Sequence, residues 1–357
     1  MSLDDSEKSL VAWLLEVEDP SIRFFTLRDL MNKPENDENV QVTKASISDS
    51  KVVKKILSKQ SPKGYWENSD SPYQPKYKSS FWQIMIMGQL GCSKEDERVR
   101  NACNYIFKFQ HEEGGFTSAT KETARREYRW RRSRGKKLPS VEDWVSSQIY
   151  EGQLSCLTGN LASALIRIGY KDDDRVQKAL DWLIKIQNQD GGWLCPYWKA
   201  HVKDKHGCFH GTICALEAFS EVKGNNRTSE MKRTIQRASE FLLMHRLYKA
   251  DHHDYQIINR SWLKFSFPRL AGYDVLRGLD ILTKLSYVND ERLDDAVKLL
   301  LRKRNSNGTW NLEKSPSRMH SRIETVNKPS KWITLIALRV LKQLNKFNVN
   351  FHSNELD

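Results

Sequence analysis

The 357-residue sequence predicts an all-α fold, an α/α toroid of five to six helix-pair repeats with an N-terminal helical hairpin. The first reason is a motif that returns at the ends of helix-like stretches: QSPKGYW from Gln60, QHEEGGF from Gln110, QNQDGGW from Gln187 and RNSNGTW from Arg304. The second is the register before each anchor. Ile56 and Leu57, Ile106 and Phe107, Leu183 and Ile184, and Leu300 and Leu301 stand four and three places ahead of it, with Val53, Cys103, Leu180 and Val297 seven places ahead. That spacing lays the apolar side chains along one stripe of a helix. A fifth anchor at His245 keeps the register through Ala238, Phe241 and Leu242 but lacks the glycine and the tryptophan.

The third reason is a second set of segments, starting near Lys78, Cys156, Gly207, Tyr273 and Pro329 and ending at Leu90, Ile168, Phe219, Leu285 and Leu341. These are apolar on nearly every face, which requires burial. They form the expected inner ring, and the one-sided anchor helices form the outer ring. Each motif glycine then ends an outer helix in a left-handed cap. Ahead of the repeats, 6–18 and 21–31 read as two helices broken at Asp19-Pro20, and the polar stretch 32–50 with Pro34 reads as a connector. The organisation expected is thus a hairpin and connector over 1–50, the toroid over 51–346 with a basic insertion at 118–145, and a tail at 347–357.

QxxxGxW after an amphipathic helix, with QNQDGGW as its fullest copy, resembles the prenyltransferase and squalene-oxidase repeat family, which includes squalene-hopene-type cyclases and protein prenyltransferase β subunits. The resemblance runs over residues 51–344. It implies a central cavity that holds a hydrophobic, isoprenoid-like or pyrophosphate-bearing ligand, in a zinc-assisted prenyltransferase-like or cyclase-like enzyme. The same scaffold hosts non-catalytic modules, and a fold does not fix a function.

No run of about 18 apolar residues and no basic-then-apolar start is present, so the sequence reads as soluble, without a membrane span or secretory signal. The six cysteines fall mostly inside helical registers, which fits a reduced, cytoplasmic setting better than a disulfide scaffold. The net charge is +13, and the block bounded by Lys121 and Lys137 carries nine Lys or Arg against two Glu, a net of +7. A solvated charged insertion is one reading of that block. The functional alternative is a binding toroid that contacts nucleic acid, protein or an anionic surface through it.

If the two layers alternate in direction, the inner helices begin on one rim, where unpaired N–H groups and positive dipole ends favour anions. Chemistry is expected there. The densest cluster on that rim places Cys195, His206, Cys208 and His210 beside the third inner helix, residue types that suit zinc. Prenyltransferase β subunits hold zinc through an Asp-x-Cys pair at such a helix start. This chain has His206-x-Cys208 at the similar place and Asp274 one repeat later, so the resemblance implies zinc with an altered ligand order.

Asp274, His210 and Tyr273 are the candidate catalytic residues. Trp82, Asn160, Trp198, Phe209, Arg277, Lys331 and Trp332 are the candidate substrate contacts. Arg277 and Lys331 would complement a pyrophosphate, unless Arg277 simply pairs with Asp274 or Asp280. Gln83, Thr212, Glu217 and Arg339 are further polar residues on segments that must be buried. The class II cyclase acid motif DxDD is absent, which disfavours proton-initiated cyclisation. No Walker loop, GxGxxG, HExxH or GxSxG is present either.

Overall fold

The computed structural model describes residues 5–195, 203, 205–270 and 272–347. Trp198 and the tail residues 348–357 lie outside them. The helices are α1 (Asp5–Leu14), α2 (Pro20–Phe25, continued by a π turn at Thr26–Leu30), α3 (Glu38–Ser46), α4 (Lys51–Leu57), α5 (Ser80–Leu90) and α6 (Glu97–Phe107). There follow α7 (Lys121–Ser133), α8 (Val141–Tyr150), α9 (Ser155–Leu165, with a π turn at Ile166–Tyr170) and α10 (Asp174–Lys185). The rest are α11 (Phe209–Ser220), α12 (Ser229–Met244), α13 (Val275–Lys284), α14 (Asp294–Arg302) and α15 (Lys331–Gln343). The chain is an all-α toroid; its few strands are two-residue ladders.

The apolar segments α5, α9, α11, α13 and α15 are buried almost throughout, as their all-round hydrophobicity requires. Adjacent inner helices touch in sequence. Gly88 of α5 backs onto Ala164 of α9, and Gly159 of α9 lies against the Cys214 backbone of α11. Glu217 of α11 pairs with Arg277 of α13, and Asp280 of α13 with Arg339 of α15. The N-terminal α2 closes the circle: Asp29, just beyond it, bonds Arg339 at 2.9 Å, and Phe25 meets Gly91 at the end of α5.

The connector read over 32–50 contains α3. Asp37 caps it by accepting from the Val40 N–H, and Val40, Thr43 and Ile47 bury one stripe. A short helix with two apolar positions gives too weak a period to see in the sequence. The basic insertion folds as two helices, α7 and α8, joined by Trp144 Nε1 donating to the Ala124 carbonyl at 3.1 Å and the Tyr128 hydroxyl donating to the Pro139 carbonyl at 2.9 Å.

The repeated motif is a joint. Gln60, Gln110 and Gln187 each donate through Nε2 to their own motif glycine carbonyl and to a carbonyl of the next outer helix: Arg98 at 2.9 Å, Arg175 at 2.7 Å and Thr234 at 2.9 Å. Trp66, Trp193 and Trp310 each return the indole N–H to a carbonyl ten residues back, all at 2.8 Å. Their backbone N–H groups donate to Ser80, Thr212 and Thr334 hydroxyls on the inner helices, and Phe116 donates likewise to Thr158. One motif therefore ties an outer helix to the next outer helix and to its inner partner. At the degenerate anchor, buried His245 bonds the Phe241 carbonyl instead.

Candidate functional site: the central cavity

The short connections all lie where inner helices end, and the long ones where they begin. One long connection folds inward. Segment 264–270 buries Phe265, Phe267, Arg269 and Leu270 and crosses the ring, and Tyr273 beyond it is buried too. Phe267 stacks on Trp332 in the first turn of α15, with ring centroids 4.2 Å apart and planes 10° apart. Asn160 of α9 donates to the Leu270 carbonyl at 2.9 Å, and Arg277 donates to the Leu270 and Gly272 carbonyls. In the last turn of α5, the Gln89 side chain takes the Arg269 N–H at 2.7 Å and returns a donor to its carbonyl at 2.6 Å, so both backbone groups are satisfied.

This segment fills the ring from the rim on which chemistry is expected. The space left over is a cavity of about 1010 Å³ toward the opposite end, lined by the C-terminal halves of α2, α5, α9, α11 and α13 and by one face of α15 from Trp332 to Gln343. Its volume is in the range of small-molecule sites. One side of its wall is apolar, with Phe25, Ile166, Phe267, Trp332, Leu335 and Ile336.

The wall also carries a belt of ion pairs. Asp29 receives Arg28 at 2.6 Å and Arg339 at 2.9 Å, and Asp280 receives Arg339 at 2.7 Å and Arg269 at 2.5 Å. Across the cavity Glu217 receives Arg277 and Arg167, and Glu221 receives Arg167 and Lys284 at 2.7 Å each. Burial alone would raise these carboxyls. The guanidinium groups of Arg277 and Arg167 at Glu217, and of Arg339 and Arg269 at Asp280, instead hold them well below the usual carboxylate range. Asp29 and Glu221 are lowered for the same reason, against the same desolvation. The cations also meet the negative ends of the inner-helix dipoles.

Arg269 is the exception to this pairing. Its Nη1 holds Asp280, but Nε and Nη2 are buried with no hydrogen-bond partner among the described residues. A buried donor left unmade costs about 1–3 kcal/mol. Arg269 is among the residues that line the cavity, so a turn of its side chain would bring these donors to an acceptor oxygen beside the aromatic wall and recover that cost.

Of the candidate substrate contacts, Trp332 lines the cavity, and Trp82, Asn160, Phe209, Arg277 and Lys331 do not. Trp82 donates to the Tyr73 carbonyl, and Lys331 bridges Glu16 and Asp19. Arg277 pairs with Glu217 and Asn160 rather than with the carboxylate of Asp274 or Asp280, which its backbone N–H and its neighbour Arg269 occupy respectively. The structure gathers Phe209, His210 and Tyr273 around Trp262, with ring centroids between 4.6 and 6.2 Å from it. The Tyr273 hydroxyl is spent on the Leu247 carbonyl at 2.7 Å. Asp274 caps α13, accepting from the Arg277 N–H and the Ser266 hydroxyl, and burial raises its pKa. Phe209, Tyr273 and Asp274 are all buried, away from the cavity.

Among the described residues no three His, Cys, Asp or Glu side chains gather as a metal site. His206 Nδ1 lies 2.8 Å from the Gly207 carbonyl, and its ring packs on Phe241 and His245. The Cys208 thiol is hydrogen-bonded to Cys195, which together with burial pushes its pKa up. Among the described residues, Cys195, His206, Cys208 and His210 are not brought together as a group of three or more metal ligands.

No protein-family model and no curated protein matches the chain. Among solved structures, it is similar to a protein from Actinoplanes, at 14% identity and TM-score 0.44 over 95% of this chain and 99% of that one. It is also similar to the apo type II terpene cyclase MstE from Scytonema, at 14% identity and TM-score 0.43 over 96% and 97%. A variant of that cyclase in complex with geranylgeranyl dihydroxybenzoate gives 15% identity and TM-score 0.43 over 96% and 97%. No helix among the described residues is long and apolar enough to cross a membrane.

Proposed function

We propose that the central cavity binds an isoprenoid-like amphiphile, its apolar body against Phe25, Phe267, Trp332 and Leu335 and its oxygen-rich head at Arg269. The observation that carries this reading is Arg269, a buried guanidinium with two unsatisfied donor groups beside an aromatic wall. Around it the cavity is lined by eight Lys or Arg and seven Asp or Glu side chains, a small positive excess. That excess suits an anionic head. The four carboxylates of the belt are held ionised, so they suit ligand binding and not the donation of a proton to an alkene.

Calorimetric titration with farnesyl diphosphate, farnesol and inorganic pyrophosphate tests the reading. Farnesyl diphosphate is expected to bind most tightly. Arg269→Leu should weaken it by about 10- to 100-fold, the worth of charge-assisted hydrogen bonds at about 1.5–3 kcal/mol, and leave farnesol nearly unchanged. Trp332→Ala should weaken both prenyl ligands. Failure of all three to bind, or equal affinity of the Arg269→Leu variant for farnesyl diphosphate, would overturn the proposal. A zinc-assisted transfer on the opposite rim predicts instead stoichiometric zinc in the purified protein, lost on Cys208→Ala without unfolding.

A further inference from the structure

We propose that α7 and the turn after it form a binding surface for single-stranded nucleic acid, independent of the central cavity. The helix is built to be rigid. Thr120 and Thr123 make a reciprocal capping box at its start, Ala124 is buried, and Arg126 ties it to Asp70 in the loop ahead of α5. Arg131 is paired with Glu127. The other seven cations, Lys121, Arg125, Arg129, Arg132, Arg134, Lys136 and Lys137, have no carboxylate partner among the described residues.

Arg125, Arg129 and Arg132 follow at spacings of four and three and so share one exposed face of α7. Like charges at that spacing weaken a helix by a few tenths of a kcal/mol per pair. The stripe therefore contributes nothing to folding, and a polyanion is what would relieve it. Trp130 stands 53% exposed on the other flank of the exposed face, in the row of Arg126 and Arg134 at four places before and after it, with the Arg134 guanidinium 4.2 Å from its ring centroid. An exposed indole beside a cation row offers an unpaired base a stacking face and its phosphates a set of counter-charges.

A membrane surface fits less well. Ala124 and Val145 are turned into the protein, and Trp130 is the one large apolar side chain that α7 exposes, which leaves no apolar face to insert. The site is also remote from the cavity: it sits where inner helices begin, whereas the cavity lies where they end.

The test is fluorescence anisotropy of a labelled 20-nucleotide single-stranded RNA of mixed sequence, with duplex DNA, phosphatidylglycerol vesicles and polyglutamate as the other arms. Single-stranded RNA is expected to bind with a log-log salt slope of about −3.5, corresponding to roughly five phosphate contacts. The combined change Arg125→Glu, Arg129→Glu and Arg132→Glu should weaken it more than 30-fold at an unchanged thermal midpoint. Trp130→Ala should weaken it about tenfold. Three results would each overturn the proposal: tighter binding to vesicles or polyglutamate than to RNA, RNA affinity unchanged in the triple variant, or duplex binding equal to single-strand binding and indifferent to Trp130→Ala.

Discussion

Replacing Glu217 by alanine is expected to destabilise the protein by about 3–5 kcal/mol, because it leaves Arg277 without its counter-charge in the ring interior. Arg277 is fully buried, and its only carboxylate salt-bridge partner among the described residues is Glu217. Arg167 would keep Glu221. A second change, Arg277→Met in the Glu217→Ala background, removes the orphaned charge and is expected to recover part of the loss, since a buried pair replaced by apolar groups is far less costly than a broken pair. Urea unfolding of the two single variants and the double variant measures this coupling. If the double variant is less stable than Glu217→Ala alone, the ion pair is not the source of the effect.

The same pair gives acid sensitivity with a definite sign. The folded-state pKa of Glu217 lies below 4.5, the ordinary value that stands for the unfolded chain. Its contribution is therefore fully present above that unfolded value and is lost as pH falls toward the folded one. Asp29, Glu221 and Asp280 act in the same direction. Stability should fall steadily as the pH drops below about 4.5, and more shallowly in the Glu217→Ala, Arg277→Met double variant.

The second large effect is expected at the motif glycine Gly191. It has φ of +90°, and a Cβ there would lie 2.3 Å from the Arg237 carbonyl oxygen of the next outer helix. Gly191→Ala combines left-handed strain of about 1 kcal/mol with overpacking against backbone, roughly 3 kcal/mol in all. Gly135 provides the control, since its φ is +72° and nothing lies within 4 Å of the added atom. Gly135→Ala should cost only the strain, about 1 kcal/mol. Equal losses at the two positions would mean that the joint between outer helices is looser than these contacts imply.

That joint explains why so much of the architecture is legible in the sequence. Glutamine and tryptophan supply the side-chain bonds of the joint and glycine its left-handed turn and close approach, so QxxxGxW marks where outer helices stop. The all-apolar segments mark the inner ring by the same logic. Glu217, Arg277 and Arg339 are conspicuous too, as charges on helices that must be buried, and all three belong to the ion-pair belt.

The location of the cavity is not legible, for a reason centred on one loop. Helix starts offer N–H groups to anions on either rim of a hollow ring, but segment 264–270 has no period and its course across the ring is set by long-range bonds to Gln89, Asn160 and Trp332. Arg269 sits in that loop and carries no local signal. The density of Cys and His near the third inner helix draws attention to the opposite rim. There, buried Phe209, Tyr273 and Asp274 pack the ring and cap a helix.

Hydrogen exchange with and without farnesyl diphosphate measures most directly which end of the ring is the functional one. Binding in the cavity predicts slowed exchange in the last turns of α5, α9, α11 and α13 and in segment 266–270, with 205–212 unchanged. Protection confined to 205–212 and 273–277, or no protection at any amide, would contradict it.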